Sequence, residues 1–221
     1  MGAQQLSYNY DLKTEQADMC RVTSFAAILR QVLGDHAWSQ LESAIVTRFS
    51  VYVSDKHPLI FRGKMQWVYC SPIGFLISKV IKRFAILPDI CARDSEFTFN
   101  IGMRNGEIFK QRIYELADDD EFKFSSTFSG APRLHEEFNG GIGMYLGLLV
   151  KRGALIFRDQ GYFYRINNWR LRLPRWLTVG HFDLLHRNIN DQRFQIIIRV
   201  VHPLLGTLFY QRGEFEARQV S

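Results

Sequence analysis

No stretch of about eighteen consecutive apolar residues occurs in the chain, which excludes a membrane-spanning helix. Cysteine is scarce: Cys20, Cys70 and Cys91 are widely spaced, odd in number and form no CxxC pair. That excludes a disulfide framework and points to reduced, mostly buried thiols of a cytoplasmic protein. The N-terminal MGAQQLSYNYDLKTEQ lacks the apolar core of a secretory signal, and Leu6 stands where myristoylation favours Ser or Thr. The glycines Gly140, Gly141, Gly143 and Gly147 depart from GxGxxG and lead into no helix, so they read as a bend or bulge rather than a dinucleotide site. The acidic run Asp118, Asp119, Asp120 and Glu121 lacks the spacing and glycine of a calcium loop and reads as a solvated hairpin turn. His181 and His186 are five apart in an expected strand, so they face opposite sides and do not form a metal pair. No metal and no cofactor is expected.

What the chain does hold is aromatic and basic. Of its 221 residues, 47% are hydrophobic, 23% charged and 14% aromatic. A chain of this length can bury a core without disulfides, and the aromatic share suits strands. The net charge of +6 favours an anionic partner. The reading is one β-rich domain over residues 23–221, behind a loose arm over 1–22.

The clearest pattern lies near the C-terminus. Phe194, Ile196, Ile198 and Val200 share one face of a strand; Pro203 ends it and Gly206 supplies a turn. The next strand puts Phe209, Gln211, Gly213 and Phe215 on one face. A hairpin alone is marginal in water, so more strands must cover it. Upstream, Ser24 can cap a helix with Phe25, Ile28, Leu29, Val32 and Leu33 on one stripe. Gly34 stops it, and Asp35 opens a second helix carrying Trp38, Leu41, Ala44 and Ile45. Strand signals begin near Phe49. Residues 72–87 form a basic amphipathic helix, with Ile73, Leu76, Ile77, Val80 and Phe84 on one side and Lys79, Lys82 and Arg83 opposite. Strands then follow one another to the end through short turns, among them Asn105-Gly106 and Asn190-Asp191. The fold class is α+β, mostly β: a large curled antiparallel sheet, half-barrel or barrel-like, with the N-terminal helices and the basic helix packed on it.

Several segments in this order resemble a bacterial family known as domain of unknown function 4166. The opening helix FAAILRQVLGD, FRGKMQW followed by IGFLISKVIKRFAILP, FKQRIY, NNWRLRLPRWL and HPLLG followed by RGEFE carry the resemblance, over residues 24 to 217. No motif among them is catalytic in type. The family is sometimes joined to a dehydrogenase-like nucleotide-binding domain or to membrane segments. The resemblance therefore implies a free-standing version here, and it supplies no activity.

The leading expectation is a non-catalytic domain that binds a lipid-like or other apolar anionic ligand in a cavity of the sheet. Arg62 and Arg112 are expected inside, Trp169, Arg170 and Arg175 at the mouth, and His202 orienting the ligand from the hairpin turn. Two alternatives stand beside it. One is an enzyme on an apolar substrate with His202, Glu136 or Glu137 as base; of the two glutamates, only one can face a cavity. The other is an interaction module that docks a dehydrogenase-like partner. Phe75, Lys79, Lys82 and Arg83 form an expected contact with an anionic membrane, competing with the reading in which that helix plugs the sheet. Nucleic acid ranks below lipid, since no recognised motif is present. The expected location is the cytoplasm, peripheral at most to the inner membrane.

Overall fold

The computed structural model describes residues 25–51, 53–54, 58–81, 87–104, 107–116, 120–130 and 133–216. The arm over 1–22, Cys20, the Ser24 cap, Lys82, Arg83, Phe84, the Asn105-Gly106 turn, Asp118 and Asp119 lie outside the described residues.

Among the described residues two helices come first: α1 (Phe25–Trp38) and α2 (Ser43–Phe49). Eleven strands follow: β1 (Leu59–Cys70), β2 (Ser95–Arg104), β3 (Glu107–Glu115), β4 (Glu121–Ser129), β5 (His135–Phe138), β6 (Ile142–Lys151), β7 (Ala154–Ile166), β8 (Trp169–Arg172), β9 (His181–Asn190), β10 (Arg193–His202) and β11 (Gly206–Glu216). A third helix, α3 (Pro72–Val80), sits between β1 and β2. Among the described residues, only two short 3-10 turns come after it, as expected from the sequence.

All pairings are antiparallel, and the sheet closes. β1 to β7 pair in chain order, β9 to β11 continue the meander, and β11 returns to β1. The closing strand is β7, long enough to be shared. Its first residues pair with β9 (Leu155 opposite His186), while its last pair with β8 (Ile166 opposite Trp169). Ten strands thus form the barrel, and β8 is a flap on β7 beyond the point where β9 leaves off. Bulges between Met65 and Trp67, Met144 and Leu146, and Val200 and Val201 supply the local bends that a closed sheet needs. The glycine-rich stretch behaves as a bend: Gly140 and Gly141 take positive φ in the turn into β6.

The register gives the barrel two unlike ends. The helical end carries α1, α2 and the β6–β7 and β9–β10 turns. There the amide of Glu42 donates to the carbonyl of Gly153 at 3.1 Å, and Asn190 Oδ1 accepts from the amides of Gln192 and Arg193. The loop end carries α3, the β7–β8 hairpin, the Leu173–Gly180 segment and the β10–β11 turn. Phe25, Ile28 and Leu29 of α1 and Ile45 and Phe49 of α2 are buried. Each such side chain contributes about 1.5–3 kcal/mol on burial. Phe25 meets Phe128 and Phe49 edge-on at 5.1 and 5.2 Å, which seals this end.

Three expectations change in detail. Gly34 breaks the first helix as read, with φ 76°, but one more turn follows it within α1, and the second helix begins at Ser43. Phe49, near which the strand signals begin, closes α2, because its ring packs on Phe25 in the plug. The basic helix is the largest departure. α3 fully buries Gly74 and Ser78 rather than its apolar stripe, of which Ile77 is half-buried against the core while Ile73, Leu76 and Val80, with Phe75, stand exposed. Gly74 explains this, because a Cβ there would lie 2.3 Å from the carbonyl oxygen of Leu208, so only glycine lets the helix lie flat on β11. Ser71 caps its start, accepting from the Gly74 amide at 3.0 Å.

Candidate functional site

Alternation along β3 places Ile108, Lys110, Arg112 and Tyr114 on the inner wall of the barrel. Two of these are cations in a place where apolar side chains dominate. Both meet Glu136 of β5, which is buried. Arg112 Nη2 donates to Glu136 Oε1 at 2.7 Å, and Lys110 Nζ lies 3.4 Å from Oε2. The Ser126 hydroxyl also donates to Oε1 and accepts from Arg112 Nη1. The Tyr114 hydroxyl donates to Gln211 Oε1 at 2.6 Å across the barrel. Burial would push the Glu136 carboxyl up, but the two cations and the Ser126 hydroxyl outweigh it and hold the group well below the usual carboxylate range. Burial brings Lys110 down to about 8, opposed by Glu136.

A third cation enters from the helical end. Arg48 of α2 donates from Nη1 to His186 Nε2 at 2.7 Å and from Nη2 to Asn188 Oδ1 at 3.2 Å. Its guanidinium lies 4.0 Å over the ring of Phe194, and its Nε is buried without a hydrogen-bond partner. Burial first, and then the Arg48 charge, push His186 down to about 3, so its ring is neutral and accepts from Arg48.

Between these groups lies a cavity of about 70 Å³. Arg48, Lys110, Arg112 and Glu136 line it, with a wall of phenylalanines that includes Phe25, Phe49, Phe61, Phe99 and Phe182. A second void of about 40 Å³ lies toward the loop end and shares Arg112, Glu136, Phe182, Ile198 and Gln211 with the first. The cavity thus gathers three cations, one carboxylate and an aromatic wall.

The residues expected at the site divide. Arg112 is inside, as expected. Arg62 is not: it follows inward-facing Phe61 in β1, so alternation turns it out to solvent. Trp169 and Arg175 are exposed at the loop end, and neither lines the voids. Arg175 Nη1 instead donates to the His181 ring at 2.9 Å. Arg170 lies on the outer surface and donates to His135 Nε2 at 2.8 Å. His202 ties down its turn: Nδ1 accepts from the amides of Leu204 and Leu205 at 3.2 and 3.3 Å. That leaves it little to offer a ligand. Of the glutamates, Glu136 faces the cavity, while Glu137 turns outward and pairs with Arg165. His186 is inside and His181 outside, as the spacing required. Phe75 and Lys79 are exposed on α3, with Lys79 Nζ 4.8 Å over the Phe75 ring and 2.8 Å from Asp89.

Sequence reasoning missed Arg48 and Lys110. The signal for Lys110 was its place two residues from Arg112, which shares its face. Arg48 gave none, since it sat at a boundary read as the start of a strand. Among the described residues no cluster of His, Cys, Asp and Glu could hold a metal ion, and no helix is long and apolar enough to cross a membrane.

The family described as Domain of unknown function (DUF4166) matches residues 41–215, most of the chain. No curated protein and no solved structure matches it.

Proposed function

We propose that this chain, which belongs to the DUF4166 family, binds a compact apolar anion, such as a small carboxylate, inside its barrel. The observation that supports this is the charge imbalance of the cavity. Arg48, Lys110 and Arg112 face a space with Glu136 as its one carboxylate, and Arg48 keeps an unpartnered buried N–H. An uncompensated charge in an apolar interior is costly, and an incoming anion would offset that cost. The phenylalanine wall suits the apolar part of such a ligand.

Size narrows the class. Pockets for drug-sized ligands run to about 300–1,000 Å³, and this cavity offers about 70 Å³. A short aliphatic chain or a single ring fits that scale. A long acyl chain, the lipid-like case, requires α1 and α2 to move aside. The enzymatic alternative gains little from the geometry. Glu136 is held ionised by two cations, which makes it a weak base, and His202 is engaged by its own turn.

The test is thermal melting with a panel of short aliphatic and aromatic carboxylates, each beside its neutral amide. Carboxylates should raise the melting temperature and amides should not, because binding to the folded state alone stabilises it. Arg48→Met should abolish the shift. A panel that moves nothing would refute the reading.

A further inference from the structure

We propose that the loop end of the barrel is a docking face for an anionic lipid surface. This goes beyond ligand binding in the cavity and does not depend on it. The distribution of exposed apolar side chains carries the inference. Among the described residues, every large apolar side chain that stands exposed, except Val32 and Ile189, belongs to β1, α3, the β7–β8 hairpin, the 3-10 turn after it, or the β10–β11 turn. Leu204 is 84% exposed, Trp169 81%, Val80 79% and Trp176 71%. The register brings the ends of these elements to one side of the barrel: Cys70, which precedes α3, pairs with Phe209, His202 with Gly206, and His181 with Val201. Gly180 lies against the backbone of Val201 and His202. The tips therefore form an arc over β1, β11, β10, β9 and the β7–β8 flap.

Charge selects the occupant. The segments that build this arc, residues 71–81, 162–180 and 199–213, contain no Asp or Glu. They carry Lys79, Arg165, Arg170, Arg172 and Arg175 among the apolar tips. Most acidic groups of this end lie on the other arc, at Asp94, Glu96 of β2, Glu115 of β3, Asp120 and Glu121 of β4. Asp89, Glu137 and Asp183 border the arc, and each is held in an ion pair, with Lys79, Arg165 and Arg158.

Tryptophan and leucine tips flanked by arginine and lysine match the two layers of a lipid interface. The tips enter the acyl boundary, and the cations meet phosphate headgroups. Separate protruding tips also suit a fluid surface, whereas a protein partner offers a fixed relief to a continuous groove. α3 fits the same role, because it packs through Gly74, Ser78 and part of Ile77 and leaves Ile73, Phe75, Leu76 and Val80 outward.

Flotation with vesicles tests this. Phosphatidylcholine vesicles with phosphatidylglycerol should carry the protein, and phosphatidylcholine alone should carry far less. Two double variants of exposed residues, Trp176→Ser with Leu204→Ser and Arg172→Glu with Arg175→Glu, should each lower the bound fraction by about tenfold or more while melting like the parent. Tryptophan emission should shift to the blue on the anionic vesicles. Absence of flotation on those vesicles would overturn the proposal, as would flotation that neither double variant changes. A soluble dimer that Trp176→Ser with Leu204→Ser dissolves, without vesicle binding, would overturn it too and make the face a self-association surface.

Discussion

Arg48 Nη1 lies 2.7 Å from His186 Nε2, a contact between residues 138 apart in sequence that fastens helix α2 to the inside of the barrel. One bond thus joins the plug, the β9 wall and the cavity. Arg48→Met should keep much of the stacking on Phe194 but leave the His186 acceptor unsatisfied. A loss of about 1–3 kcal/mol in denaturant unfolding is expected.

The same pair sets a response to acid. His186 has a folded pKa of about 3, below its ordinary value of 6.5. Between those values the unfolded chain binds a proton that the folded chain refuses, so stability must fall as pH drops from about 6.5. Glu136, also lowered in the folded state, adds its own loss once pH passes below the ordinary carboxylate range. Urea midpoints measured from pH 7 to 5 should therefore decline, and His186→Gln should flatten the slope. An unchanged slope in that variant would contradict the burial of a neutral ring.

Glu136→Gln probes the polar cluster. It preserves shape but leaves Lys110 and Arg112 facing each other without the carboxylate between them. The expected cost is about 3–5 kcal/mol, since a buried charge loses its partner. If the cavity accepts anions, a small carboxylate that binds the parent protein should restore part of this loss, and its neutral amide should restore none.

Two glycines separate steric need from backbone need. Gly74→Ala places a methyl against the Leu208 carbonyl, so helix α3 must lift from β11 at a cost of about 1–3 kcal/mol. Gly206→Ala meets nothing within 4 Å, but its φ of +74° disfavours any side chain. About 1 kcal/mol is expected there. Melting temperatures of the two variants should rank in that order.

Much of the fold was legible because strand alternation is local. Phe194 to Val200 and Phe209 to Phe215 show their inner faces in the bare sequence, and alternation there also requires that only one of Glu136 and Glu137 face inward, without saying which. Closure was not legible, since it depends on β7 dividing its partners between β8 and β9, a pairing with no local signal. Arg62 misled because an arginine flanked by apolar residues reads as buried, whereas the phase of β1 is fixed by Phe61 and Met65. The stripe of α3 misled for a different reason. Helical spacing marks which residues share a face, but Gly74 and Ser78, small enough for close approach, decide which face meets the sheet. Arg48 became visible only once α2 was seen to plug the barrel.

The divided pairing of β7 also bears on how the protein keeps to itself. A closed ring offers no template for another chain, and among the described residues β8 is the strand left with one neighbour. That remaining edge is four residues long, alternates Arg170 and Arg172 with Trp169 and Leu171, and is followed two residues later by Pro174. Short length, like charge and a nearby proline all oppose strand addition. The seam where β7 divides between two partners is thus also its guarded margin. Refolding yield should depend on protein concentration less than in an open sheet of the same size.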